Sequence, residues 1–214
     1  ASRWGELLFM SNPSLSRAKE NYGAVKSAIE ANGRDPEQVK IANLTFPVVG
    51  RTMSEAEDRR AAYDLLPNLI DDLSLLSEGL NFDFSEKGLE DPLSEEDVAA
   101  MTGIQGIRNQ VIEVTGNQTP SVKDFVEVSG RGRLAHPVVG GPTELADYFE
   151  EWFTSPACDG FVIAGTHMPG AFEDFVDLVV PELQRRGLFR TEYSGTTLRD
   201  NLGLSQPIPG AWRR

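Results

Sequence analysis

The chain has 214 residues, of which 40% are hydrophobic and 25% charged, the balance of a globular protein with a sizeable core. Acidic residues exceed basic ones by 33 to 20, and a formal charge of −13 argues against a nucleic-acid partner. No run approaches the roughly 18 apolar residues that cross a bilayer, and the N-terminus lacks the order of a secretory signal. A single cysteine, Cys158, excludes an internal disulfide and fits a reducing compartment, so the expected location is the cytoplasm, away from membranes.

Residues 5–10 form a short apolar run ended by Ser11-Asn12-Pro13, which reads as a buried strand and a turn. A helix follows, with Ser14 as N-cap, a stripe of Leu15, Ala18, Tyr22, Val25 and Ile29, and Gly33 as its end. Asp35-Pro36-Glu37 looks like a capped turn. Residues 39–49 are β-branched and almost continuously apolar, which fits one long strand buried on both faces. Ser54, with Glu57 three residues on, is a candidate capping box for a helix through about Leu66, stopped or kinked by Pro67.

From about 71 to 133 the pattern weakens. Gly79, Gly88, Gly103, Gly106, Gly116, Gly130 and Gly132 interrupt it and leave only short helical pieces near 95–101 and 121–128. Residues 71–135 therefore read as an insertion without a packed core of its own, an active-site lid or a linker.

Order returns at Pro137-Val138-Val139-Gly140, which enters a helix with Pro142 at its first position and Leu145, Phe149, Trp152 and Phe153 on its buried face. The turn at Gly141 admits an anion at the helix N-terminus, or plain helix initiation, which is favoured because glycine supplies no side-chain cap. Residues 159–165 are a third buried strand, with Cys158 a small buried filler beside it. Phe172, Phe175, Val176, Val179 and Leu183 then give a helix one apolar face. Pro181 predicts a kink or a restart near Val180, and Gly187 ends the helix, leaving 188–214 as an extended tail. Repeated strand-to-helix units imply an α/β fold with parallel strands.

The two histidines, His136 and His167, adjoin strand positions; in a strand–helix barrel they would fall on the face where active sites assemble, and a histidine there can donate a hydrogen bond or move a proton. A structural role is the competing reading for each. No Ser-His-Asp set, Cys-His pair, P-loop or metal-spaced cluster is legible, and no metal is expected.

One stretch names a chemistry. Asp174-Phe175-Val176-Asp177-Leu178-Val179-Val180-Pro181-Glu182-Leu183-Gln184-Arg185-Arg186-Gly187-Leu188-Phe189-Arg190-Thr191-Glu192-Tyr193, running on to Gly195-Thr196-Thr197-Leu198-Arg199 and Leu202-Gly203-Leu204, closely resembles the C-terminal end of a group of flavin-dependent monooxygenases. The group includes the nitrilotriacetate, EDTA and dibenzothiophene-sulfone monooxygenases, a branch of the bacterial-luciferase-like superfamily. Val139-Gly140-Gly141-Pro142-Thr143-Glu144 resembles its Val-Gly-Thr-Pro-Glu-Gln, with Gly141 where Thr is common. The first nine residues resemble the segment following the family's Gly-Xaa-Ser-Xaa-Xaa-Gly phosphate-binding turn, which these 214 residues do not contain.

The resemblance runs through nearly the whole chain and falls on the C-terminal half of a longer polypeptide. A complete TIM (β/α)8 barrel takes about 250 residues, so it implies the C-terminal part of such a barrel. It further implies a monooxygenase that uses reduced FMN and molecular oxygen on a small organic substrate, through a flavin peroxide. The flavin would come from a separate NAD(P)H:flavin reductase, and the N-terminal half of the barrel or a partner chain would complete the fold, in a homo-oligomer. Under this resemblance His136 is the candidate catalytic residue, Phe9 and Ser11 contact the cofactor, and Phe46, His167 and Met168 contact the substrate. Two rivals keep the fold: a non-catalytic or partner-completed flavin-binding half barrel, and an oxidoreductase that uses the deazaflavin F420.

Overall fold

A computed structural model of the protein describes residues 1–129, 137–207 and 210; His136 and residues 130–135 lie outside the described residues. The chain forms two compact units, one of Ala1–Arg59 with Pro137–Arg214 and one of Arg60–His136.

The first unit begins with strand β1 (Leu7–Met10) and helix α1 (Leu15–Ala31). Ser14 accepts from the Arg17 N–H as the expected N-cap, and Gly33, at φ +71°, turns the chain out of the helix. The apolar run at 39–49 is not one strand: it divides at Phe46 into β2 (Lys40–Thr45) and β3 (Pro47–Val49). Pro47 has no N–H to give a continuing ladder, and the two pieces pair with different partners. Helix α2 (Met53–Asp64) follows. Its cap is Thr52, not Ser54: the Glu55 N–H donates to Thr52 Oγ1 at 3.2 Å, and the Glu55 carboxylate accepts from the Arg51 N–H at 2.9 Å. The capping pattern thus lies two residues earlier than Ser54 and Glu57 suggest, and the helix ends at Asp64 instead of Leu66.

The second unit is helical and has its own core, contrary to the expectation for 71–133. Helices α3 (Leu69–Leu80), α4 (Glu95–Ala100), α5 (Gln105–Thr115) and α6 (Val122–Ser129) enclose Leu76, Leu80, Phe84, Met101, Val111 and Phe125, none of them solvent-exposed. The Phe84 and Phe125 rings lie 5.7 Å apart at its centre. The glycines that blur the sequence pattern are junctions of this packing. A Cβ on Gly103 would sit 2.3 Å from Gly79 O, so only glycine lets the chain cross α3 there, and Gly116 takes the left-handed cap of α5 at φ +65°.

The chain returns to the first unit with β4 (Val138–Gly140), α7 (Pro142–Thr154), β5 (Gly160–Ile163) and α8 (Ala171–Asp174). A π turn over Phe175–Val179 leads into α9 (Val180–Arg185), so the helix restarts at Val180 as Pro181 requires. Gly187, at φ +71°, lets the Leu188 N–H donate back to Leu183 O at 2.9 Å, and α10 (Leu198–Asn201) interrupts the tail. Phe153, Phe172 and Val176 are exposed, not on the buried faces that the periodicity assigns them.

All strand pairs are parallel. One sheet has the order β1-β2-β5, and β3 pairs with β4. Paired residues of a parallel ladder share a face, so Leu7, Phe9, Ala42 and Gly160 lie on one side and Leu8, Ile41, Asn43 and Phe161 on the other. Helices α1 and α7 cover the second side, where Phe161 packs with Ala18 and Trp152 and its ring lies 4.7 Å from that of Phe149. The first side is left open: Phe9 is 68% exposed, so β1 is covered on one face only. Among the described residues no helix is long and apolar enough to cross a membrane.

Candidate functional site

In a parallel α/β sheet ligands collect at the carboxyl ends of the strands, because there the loops turn toward helices that expose free N–H groups. Five such ends are described here.

After β1, the turn at Ser11 is fixed by a chain of buried amides. Asn12 Nδ2 donates to Asn43 Oδ1 at 3.0 Å, and Asn21 Nδ2 of α1 donates to Asn12 Oδ1 at 2.6 Å. Buried amides hold their geometry firmly because an unpaired one would cost its full desolvation. Ser11 itself is exposed beside this anchor. Phe46 is half-buried at the end of β2, and its carbonyl accepts from the Val138 N–H at 3.0 Å.

The ends of β3 and β4 are joined through Gly50 N–H and Gly140 O at 3.2 Å. A Cβ on Gly50 would lie 2.4 Å from Ala56 N, which brings the start of α2 directly over the strand end. Here the two helix N-termini are already filled. Gly141 N–H donates to the Glu144 carboxylate at 3.0 Å, so the turn at Gly141 initiates α7, as the absence of a side-chain cap suggests, and Arg51 N–H serves Glu55 in the same way.

The loop after β5 carries His167 and Met168. Its backbone reverses through Gly170, at φ +111°, where a Cβ would sit 3.0 Å from His167 Nε2, so the imidazole lies directly against the glycine. His167 Nδ1 is 3.5 Å from Thr166 Oγ1, and Met168 is 75% exposed. Ser11, Phe46, His167 and Met168 therefore share one end of the adjacent strands β1, β2 and β5. His136 lies outside the described residues.

A cavity of about 820 Å³ lies elsewhere in this unit. It runs along the bodies and amino ends of the strands, beside β5, between Phe9, Ala42, Val162, Phe149, Phe175 and Leu183. Of the candidate residues it includes Phe9 alone. Its polar border is scaffold: Asp159 accepts from Tyr22 Oη at 2.9 Å and from the Ile41 N–H at 2.8 Å, with Lys26 Nζ at 3.2 Å. Burial, and then the Asp159 carboxylate, push the Tyr22 hydroxyl pKa up, so it stays a neutral donor. Cys158 is buried, and burial lifts its thiol to about 11, as fits an inert filler.

Two groups at the strand ends escape sequence reasoning. Asn43 carries a signal, an amide inside an apolar β-branched run. Arg59 shows in sequence only its i−4 pairing with Glu55 on one helix, since Val49 and Asp174 meet it only in the fold. Among the described residues no group of three His, Cys, Asp or Glu side chains is placed to hold a metal.

No family model matches the chain. It is 35% identical over 211 residues to nitrilotriacetate monooxygenase component A of Aminobacter aminovorans, covering 97% of this chain and 46% of that protein. It is also 35% identical, over 212 residues, to N-acetyl-S-(2-succino)cysteine monooxygenase of Bacillus subtilis, covering 97% of this chain and 47% of the relative. The solved structure of a riboflavin lyase with modified FMN and its substrate riboflavin superposes on it with a TM-score of 0.78 at 25% identity, over 100% of this chain and 47% of the other. The chain spans about half the length of the curated relatives it matches. With its parallel α/β fold, the chain is similar over nearly its whole length to about half of each of the luciferase-like monooxygenases that include the nitrilotriacetate and dibenzothiophene-sulfone enzymes.

Proposed function

We propose that this chain is the C-terminal part of a TIM-barrel monooxygenase that oxidises a small organic substrate with molecular oxygen and reduced FMN, the flavin arriving from a separate NAD(P)H:flavin reductase. The observation that carries this reading is a pair of relatives at 35% identity, each aligned over 97% of the chain, that are named as a monooxygenase component and a monooxygenase.

The described residues fit FMN in part. Phe9 offers an apolar surface suited to a flavin ring, and Ser11 a hydroxyl at the strand end. The N-termini of α2 and α7 offer no phosphate cradle, since they hold the carboxylates of Glu55 and Glu144. We assign the phosphate contacts to the family's glycine-rich turn, outside these 214 residues. Phe46, His167 and Met168 are assigned to the substrate, Phe46 and Met168 shaping an apolar wall and His167 offering one donor and one acceptor. His136 is assigned the proton-handling or flavin-facing role on its sequence position.

A sheet with the order β1-β2-β5 has two unpaired edges, which favours completion by further strands, from an N-terminal half or a partner chain. The test is oxygen uptake by the complete protein supplied with a flavin reductase, NADH and FMN, over a panel of small organic substrates. Substrate-dependent uptake with product carrying one atom of labelled oxygen supports the reading. Uptake that no substrate stimulates would sink it in favour of a non-catalytic flavin-binding role, and turnover restricted to reduced F420 would replace the cofactor.

A further inference from the structure

The loop carrying His167 and Met168 leaves the sheet at Ala164, whose N–H donates to Thr45 O at 2.9 Å. It enters α8 through Gly170, which supplies no side-chain cap, and α8 has four residues before the π turn begins. α8 runs on into the π turn and α9, so where its first turn is held decides where the loop enters it. The fixed point is Asp174, whose N–H donates to Gly170 O at 2.8 Å and whose carboxylate pairs with the Arg59 guanidinium. The same guanidinium donates to Val49 O at the end of β3 at 2.8 Å, and to Glu55 of α2 at 2.8 Å. A planar fork with five donors can hold three acceptors in one geometry, which a lysine ammonium does less rigidly.

We infer that Arg59 is a positioning residue: it ties α8 to the carbonyl end of β3 and so fixes where the loop at 164–170 presents His167 and Met168. This rests on the reading of that loop as a substrate-binding element, so the test has one arm that needs no turnover. Amide hydrogen exchange is compared in the wild-type chain, Arg59→Lys and Arg59→Met. In Arg59→Met exchange at 164–174 should quicken about tenfold or more while β2 keeps its protection, and Arg59→Lys should fall between the two. In the complete protein the KM for the organic substrate should rise about tenfold in Arg59→Met, with FMN affinity unchanged.

Wild-type exchange at 164–174, or acceleration spread equally over β2, overturns the inference. Faster exchange with an unchanged KM reduces Arg59 to a fold rivet and overturns its role in the site. If Arg59→Met does not fold, Asp174→Ala replaces it and is read by the same outcomes, since it removes the side-chain tie to α8 and keeps the bonds to Val49 O and Glu55. A wild-type protein without FMN-dependent turnover would count against the functional reading alone, because the exchange arm still decides whether Arg59 fixes the loop.

Discussion

The helical unit encloses a core of its own while still exposing Leu66, Ile70 and Val114, whereas the α/β unit leaves one sheet face and, among the described residues, the outer edges of β1 and β5 open. Phe84 and Phe125 are fully buried within a stretch of chain short enough for neighbouring helices to meet directly. Phe9, on a strand of the other unit, is 68% exposed although it belongs to an apolar run. The difference follows from how each element satisfies its backbone. A helix bonds internally and needs only a partner for one stripe, while a parallel strand needs neighbours on both edges as well as cover on both faces.

That contrast is most strongly tested in the helical core. Phe125→Ala should destabilise the helical unit by about 3–5 kcal/mol, read as early loss of exchange protection in α3, α5 and α6 with β2 still protected. Simultaneous loss in both units would show that they unfold as one and would break the comparison.

The open sheet face should limit ligand affinity. Alone, the chain is expected to bind FMN more weakly than about 1 µM, a binding free energy smaller than about 8 kcal/mol, in fluorescence titration. Submicromolar affinity for the monomeric chain would mean that the described residues hold the phosphate after all.

Acid should act on both units through their depressed carboxylates, of which one in each is shifted furthest. Arg185 and then Arg186 hold Glu182 down at about 2 in the α/β unit, and Lys87, with the Ser94 cap, holds Asp97 down at about 2 in the helical unit. Both folded pKa values lie below the ordinary range of about 4. The stabilisation is therefore complete above about pH 5 and is lost as pH falls from about 4 towards 2. Glu182→Gln and Asp97→Asn should each flatten the acid limb of denaturation curves for their own unit.

The smallest effect sharpens the comparison most. Phe9→Ala should change the stability of the isolated chain by less than about 0.5 kcal/mol, measured by urea denaturation, yet weaken assembly with whatever supplies the remaining strands. A larger loss in the isolated chain would show that Phe9 is already packed.

The α/β unit was the more legible in sequence, because parallel strands and their helices carry punctuation that acts locally: Ser14, Gly33, Pro142, Pro181 and Gly187 all mark the boundaries observed. The division at Pro47 was written in the same code and was obscured by the continuous apolar run. The helical unit was illegible for a physical reason. Its glycines read as breakers where they are close contacts and caps, and α3 spreads Leu69, Ile70 and Leu75 over its exposed surface, which blurs the helical period. In the candidate site, single residues at strand ends such as Ser11 and His167 were visible. The Arg59 cluster joins positions 115 residues apart, and the Asn12–Asn43 bond joins positions 31 apart; no local pattern announces either.

The wide turn at Phe175–Val179 has a consequence for how this helix changes length. Four residues of α-helix rotate by about 400°, so side chains spaced by four drift around the axis by about 40° at each step. Phe175, Val179 and Leu183 are spaced by four and yet all face the core. The π turn takes up the drift by accommodating one additional residue in its circumference. Asp177, exposed in its middle, is in effect a supernumerary residue. Deleting it would convert the spacing to three and then four, the ordinary rhythm of an α-helical stripe, so a chain one residue shorter here would keep the same buried face.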